Sequence, residues 1–239
     1  MSTYGYVGKF GRTPDIDNLA TNEEVWDGTG AYTFLTVATE LTVSSSSALD
    51  ITTGTGARSV TVFYLDANWR EQSAVVPLNG QNASATTITC IRVYRAYITT
   101  VGTGGVNAGD IWIGSGALTN GVPANKNAGI LTGLGQTLMA IYSVPAQAVG
   151  GAKVVKWYAT CGAAQAAYAT VALQTREFGE GWRTRRVLNI GEGGKGGEEF
   201  PEGLTPTVSA KADIRIRVLT NGVINTSIAA GFDLELLDA

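Results

Sequence analysis

The chain has 239 residues, 44% of them hydrophobic, enough to build one large β domain or two smaller ones around a sizeable core. Charged residues make up only 15% and the net charge is −3, which excludes a protein that grips nucleic acid or an anionic membrane through a basic surface. There is no histidine, so Ser-His-Asp and Cys-His catalysis, imidazole bases and nearly all zinc and copper sites are excluded too. The 31 glycines fit two descriptions: a small-residue-rich β protein with many turns, or a subunit partly covered by its neighbours.

The first residues, Met1 to Arg12, form a glycine and aromatic stretch without periodicity, and Thr13-Pro14-Asp15 reads as a turn. Residues 1–35 are expected to be an N-terminal arm with Tyr4, Tyr6, Phe10, Trp26, Tyr32 and Phe34 as its anchors. Trp26 and Phe34 read best as packing in the nearby domain. Tyr4, Tyr6 and Phe10 either close that domain or contact a partner subunit. Asn22 to Asp27 is expected to make a brief helical turn capped by Thr21 or Asn22.

From residue 40 strand signals dominate. Glu40–Ser44 and Ser59–Leu65 alternate, Asp66-Ala67-Asn68 supplies turn chemistry, and Gln72–Leu78 runs back to Asn79-Gly80 as the second arm of a hairpin. Pro77 places that return strand at a sheet edge. Thr86–Thr100 reads as one long strand, bent in the middle. Ten glycines between residues 102 and 135 mark a loop-rich crossover holding only a short strand at Ile111–Ile113. Beyond it, residues 137–144, 152–160, 167–176, 182–190, 213–219 and 232–237 read as strands. In two of them Ile214, Ile216 and Val218 alternate with Asp213, Arg215 and Arg217, and Phe232, Leu234 and Leu236 with Asp233 and Glu235. Such alternation predicts one buried and one wet face. The expected fold is all-β, an antiparallel β-sandwich or jelly-roll-like architecture of two tandem units, 36–135 and 136–239, behind the arm 1–35.

The search for chemistry yields no catalytic, cofactor or metal residue. The glycine runs at 102–105 and 191–197 lack the spacing of a phosphate loop, and Glu192, Glu198 and Glu199 would repel phosphate. Asp66, Glu71, Asp110, Glu177, Glu180, Glu198 and Glu199 are the carboxylates from which a glycosidase pair would have to come, and they fall where solvated acids ordinarily fall. Asp15, Asp17 and Asn18 lack the glycine and distal glutamate of an EF-hand. Arg183, Arg185 and Arg186 alternate across two faces and make no phosphate track. Cys90 and Cys161 sit in apolar contexts and are expected as buried thiols, with a single long-range disulfide as the alternative. No charged leader precedes an apolar run and no stretch approaches ~18 apolar residues, which gives the expectation of a cytosolic product without a membrane span.

Several stretches resemble virion structural proteins of tailed bacteriophages, particularly aquatic ones. The resemblance rests on Val43–Ser46 running into Gly54–Arg58, then Val60–Val62, Leu65–Asn68 and Leu78-Asn79-Gly80. It continues through Ile91–Tyr97, Gly135–Thr137, Tyr142–Pro145 and Ala229–Leu234, so it covers most of residues 40–239. It implies a virion structural role, assembled in the host cytoplasm, with the major capsid protein or other virion subunits as partners and self-association, for instance as a trimer. A head decoration or cement subunit is the leading expectation, and a tail or fibre-base component is the rival within the particle. A carbohydrate-binding adsorption module, stacking sugars on Trp69, Trp112 or Trp182, is the alternative of another class.

Overall fold

The computed structural model describes residues 3–16, 23–28, 30–163, 168–191, 193–201, 203, 205–221 and 226–238. Among them every regular element is a strand. β1 (Thr3–Ile16) and β2 (Glu23–Glu24) open the chain. There follow β3 (Thr39–Ser45), β4 (Ala57–Leu65), β5 (Glu71–Pro77), β6 (Ile88–Cys90), β7 (Arg92–Val101), β8 (Ile111–Thr119) and β9 (Val122–Ile130). Then come β10 (Ile141–Ser143), β11 (Gly151–Ala163), β12 (Tyr168–Arg176), β13 (Arg183–Gly191) and β14 (Lys195–Glu199). The series ends with β15 (Thr207–Val208), β16 (Asp213–Asn221) and β17 (Thr226–Leu237). The fold is all-β and its sheets are antiparallel, as in a β-sandwich.

The chain divides into a continuous unit, Tyr32–Leu138, and a discontinuous one, Met1–Ala31 with Met139–Ala239. The continuous unit has a four-stranded sheet, β6-β3-β8-β9, and a three-stranded sheet, β5-β4-β7. Leu41, Val43, Val60, Val62, Ile111 and Ile113 are fully buried in it. The residues expected as one bent strand, 86–100, break at Ile91: β6 pairs with β3 and β7 with β4, so the chain changes sheets there. The glycine-rich crossover is a long hairpin, β8–β9. Asn120 (φ 50°) and Gly121 (φ 78°) turn it as a left-handed pair, and a Cβ on Gly121 would run into the Ser45 carbonyl. Two buried side chains fasten the loops: the Asp50 carboxylate accepts from the Ala57, Ala108 and Gly109 amides and the Ser45 hydroxyl. The Asn107 amide donates to Gly109 and Leu131 carbonyls and accepts from the Gly133 amide.

In the discontinuous unit one sheet runs β1-β17-β11-β14, with β15 also on β11; the other runs β10-β16-β12-β13, with β2 on β16. The segment expected as an arm is therefore a sheet component. β1 pairs with β17 from Thr3↔Leu237 to Ile16↔Thr226, and Lys9, Gly11, Thr13 and Ile16 are buried. Within the expected helical turn at 22–27, Glu23 and Glu24 form strand β2 instead, for a specific reason. Pairing with Val218 and Arg217 carries Glu23 and Glu24 into the sheet, while Val25 and Trp26 enter the core. Residues 17–22, including Asp17, Asn18, Thr21 and Asn22, lie outside the described residues, as does Glu192.

Candidate functional site

The inner face of the β1-β17-β11-β14 sheet is built by Ala152, Val154, Trp157, Ile228, Phe232, Leu234 and Leu236, all buried. Alternation then fixes what the outer face carries. Antiparallel register aligns Phe10, Gly231, Tyr158 and Gly197 in one row across four strands. The neighbouring row is Gly8, Asp233, Lys156 and Glu199, and on the other side Arg12, Ala229, Thr160 and Lys195. Tyr6 lies opposite Glu235, on the same face. The face therefore bears Tyr6, 76% exposed, Phe10, 44%, and Tyr158, 36%.

Of the expected partner-contact residues, Tyr6 and Phe10 stand four residues apart on this face, and the side chain of Tyr4 lies outside the described residues. Tyr158, Lys156 and Lys195 were not singled out in the sequence. The signal was obscured by a bulge between Val154 and Lys156 in β11. Strict alternation would send Lys153 and Lys156 to opposite faces, whereas the extra residue puts both opposite the acids of β17, Glu235 and Asp233.

Tyr158 leans over β17: a Cβ on Gly231 would meet its Oη at 2.5 Å and its Cζ at 2.6 Å. On its other side Gly197 leaves a groove of about 640 Å³ bordered by Lys156, Thr160, Lys195 and Asp233. Lys156 pairs with Glu199 at 3.0 Å, and this hydrogen bond raises its pKa. Partial burial and the nearby Asp233 raise that of the Tyr158 phenol.

The polar side of β16 departs from expectation. Asp213 and Arg215 are buried, although alternation puts them on the wet face. β2 lies along β16 and delivers Glu24 to Arg215, whose Nε donates to Gln174 Oε1 at 2.9 Å. Arg176 Nε donates to Asp213 Oδ2 at 2.9 Å, and Ser143 donates to Oδ1 of the same carboxylate. Trp182 receives both guanidinium groups, with Arg215 at 3.7 Å and Arg176 at 4.5 Å from the ring centroid. Burial pulls the Arg215 pKa down to about 10 against the opposing pull of Glu24. This is a cross-strand structural lock.

The other sequence candidates have structural surroundings. Trp69 and Trp112 are 5% exposed, and Trp69 and Phe34 flank the buried Arg92 guanidinium, each 5.2 Å away. Neither indole offers a face for a sugar. Asp66 caps its own turn by accepting from the Asn68 and Arg70 amides, and Asp110 accepts from Thr132. Glu180 pairs with Arg183, Glu198 with Arg186, and Arg185 donates to Thr175. Cys90 and Cys161 are buried and form no disulfide. Among the described residues no cluster of three or more His, Cys, Asp or Glu side chains is placed to hold a metal ion.

No protein-family model and no curated protein matches the chain. Among solved structures, one of infectious bursal disease virus, Gx strain, aligns at 7% identity over 98% of this chain and 70% of that one, with a TM-score of 0.22. One of the Gt strain aligns at 8% identity over 100% and 82%, with a TM-score of 0.13. T=1 particles derived from the virus give 8%, 100% and 79%, with a TM-score of 0.12. Similarities this low carry no argument about fold or role.

Proposed function

We propose that this chain is a non-enzymatic structural subunit of a tailed-phage particle, a head decoration or cement protein that clamps neighbouring shell subunits. The observation that carries the reading is the outward row of Tyr6 and Phe10 on β1, a strand held along its length by β17. A flexible arm would spend roughly 1–2 kcal/mol per residue in being ordered on a partner. On a paired strand that ordering has already occurred in folding, so covering the exposed part of each ring, 76% of Tyr6 and 44% of Phe10, contributes to association without that backbone cost, each by less than the ~1.5–3 kcal/mol of full burial. The sequence resemblance and the two small-residue-rich sandwich units support the same reading.

The test is to add purified protein to phage shells that lack it and image the particles. Copies at icosahedral positions, lost in a Tyr6→Ser/Phe10→Ser double variant, are the expected result. A ring or trimer on the tail axis would transfer the protein to the tail, and absence of attachment to any part of the particle would overturn the reading.

A further inference from the structure

We infer that the groove between Tyr158 and β14 is a binding site for a neutral oligosaccharide. Two glycines shape the groove. Because Gly231 has no side chain, the Tyr158 ring tips across β17, and a Cβ there would meet the phenol at 2.5 Å. Gly197, its partner on the opposite strand, lets the β14 backbone come close beside the ring; a Cβ there would meet Trp157 O at 2.9 Å and Tyr158 Cβ at 3.1 Å. The outcome is a groove of about 640 Å³, within the usual size of small-ligand sites, with one aromatic wall and a backbone floor.

The polar groups around that wall choose the ligand class. Lys156 and Asp233 stand at one end, Thr160 and Lys195 at the other. Four residues of strand separate the ends, about 13 Å, room for a short oligosaccharide rather than a single ring. Donors, an acceptor carboxylate and a hydroxyl suit a ligand rich in hydroxyls. An aromatic wall suits the C–H face such a ligand also carries. Lys156 is held by Glu199 at 3.0 Å, while Asp233 and Lys195 stand as opposite charges at opposite ends of the groove. A phosphate or an acidic glycan would meet the Asp233 carboxylate and a Lys156 already engaged by Glu199, and no arginine lines the groove. A purely apolar ligand would strip water from two ammonium groups without replacing their hydrogen bonds. The site shares the outward face with Tyr6 and Phe10: Phe10 and Tyr158 stand in one row, with Gly231 of β17 between them.

The inference does not rest on the virion reading, and its test has its own readout. The full-length protein is applied to an array of short neutral oligosaccharides of glucose, galactose, mannose and N-acetylglucosamine, with sialylated counterparts alongside. The expected result is retention on at least one neutral series, weakened about tenfold or more by Tyr158→Ala and retained in Tyr158→Phe, which keeps the ring. Lys195→Glu should weaken the same series. Far-UV circular dichroism of each variant establishes that the fold persists; both side chains face outward, so it should. No binding to any neutral probe, a preference for the sialylated series, or binding unchanged in Tyr158→Ala would each overturn the inference.

Discussion

The guanidinium carbon of Arg215 lies 3.7 Å from the centroid of the Trp182 ring, while its Nη1 reaches the Glu24 carboxylate, 191 residues away in sequence. Arg215 and Glu24 are almost wholly buried, with side chains 6% and 1% exposed. Removing one charge from a buried pair strands the other, at about 3–5 kcal/mol. Glu24→Gln should therefore lower unfolding stability by that order in urea titrations. A Glu24→Gln/Arg215→Met double variant should recover much of the loss, because it leaves no unpaired buried guanidinium at position 215.

Asp50 makes a second prediction. Its carboxylate takes three backbone amides and one hydroxyl in a fully buried setting, at 2.6–2.9 Å. Asp50→Ala leaves these donors without their acceptor, and each buried orphan costs about 1–3 kcal/mol. The variant should lose at least ~3 kcal/mol, and hydrogen exchange should show the Ala57, Ala108 and Gly109 amides losing protection first.

Alkaline behaviour follows from Cys90. Burial pushes its thiol from 9.0 up to about 12, with Arg92 pulling the other way. Below pH 9 folded and unfolded chains both hold the proton, and the contribution is fully present. Between about 9 and 12 only the folded chain holds it, so stability falls as pH rises, by at most about 1.4 kcal/mol per pH unit. Tyr64, raised chiefly by burial and also by Cys90 and Asp66, acts in the same direction. Arg215 has the opposite sign: its pKa is lowered, so the folded chain sheds that proton first and gains stability with pH above about 10. Thermal melts from pH 8 to 11 should show a decline that Cys90→Ala makes shallower.

Strand β1 distinguishes two kinds of change. Deleting residues 2–12 removes most of the partner of β17 and uncovers a packed sheet, so the isolated protein should lose several degrees of melting temperature. Tyr6→Ser/Phe10→Ser touches only the outer face and should change stability by less than ~1 kcal/mol, at about 0.5 per surface site. A double variant that melts as early as the deletion would show the two rings to be part of the core.

Local pattern was legible in the sequence wherever one periodicity governed one element. The alternations at Ile214–Val218 and Phe232–Leu236 marked real strands with those residues buried. The turn at Asp66–Asn68 and the edge strand ending at Pro77 were readable because their signals are confined to a few residues. Signals spread over two strands were harder to use. Asn120-Gly121 is a strong hairpin mark, but it stands among ten glycines whose density suggested loops.

What the sequence by itself determined, then, is the all-β class, the apolar face of the regular strands and the absence of imidazole chemistry. Tertiary structure decided the rest. Whether Thr3–Ile16 is an arm or a strand depends on β17, more than two hundred residues away. Whether Asp213 and Arg215 meet water depends on β2 delivering Glu24 across the sheet and on Trp182 lying over two arginines. Whether Tyr158 borders a groove depends on Gly231 and Gly197, brought beside it by two different neighbours. Alternation is set by the backbone of each strand alone, and so is written locally. Which strands become neighbours, and what covers their second face, is a matter of long-range pairing and burial, which no short stretch of sequence encodes.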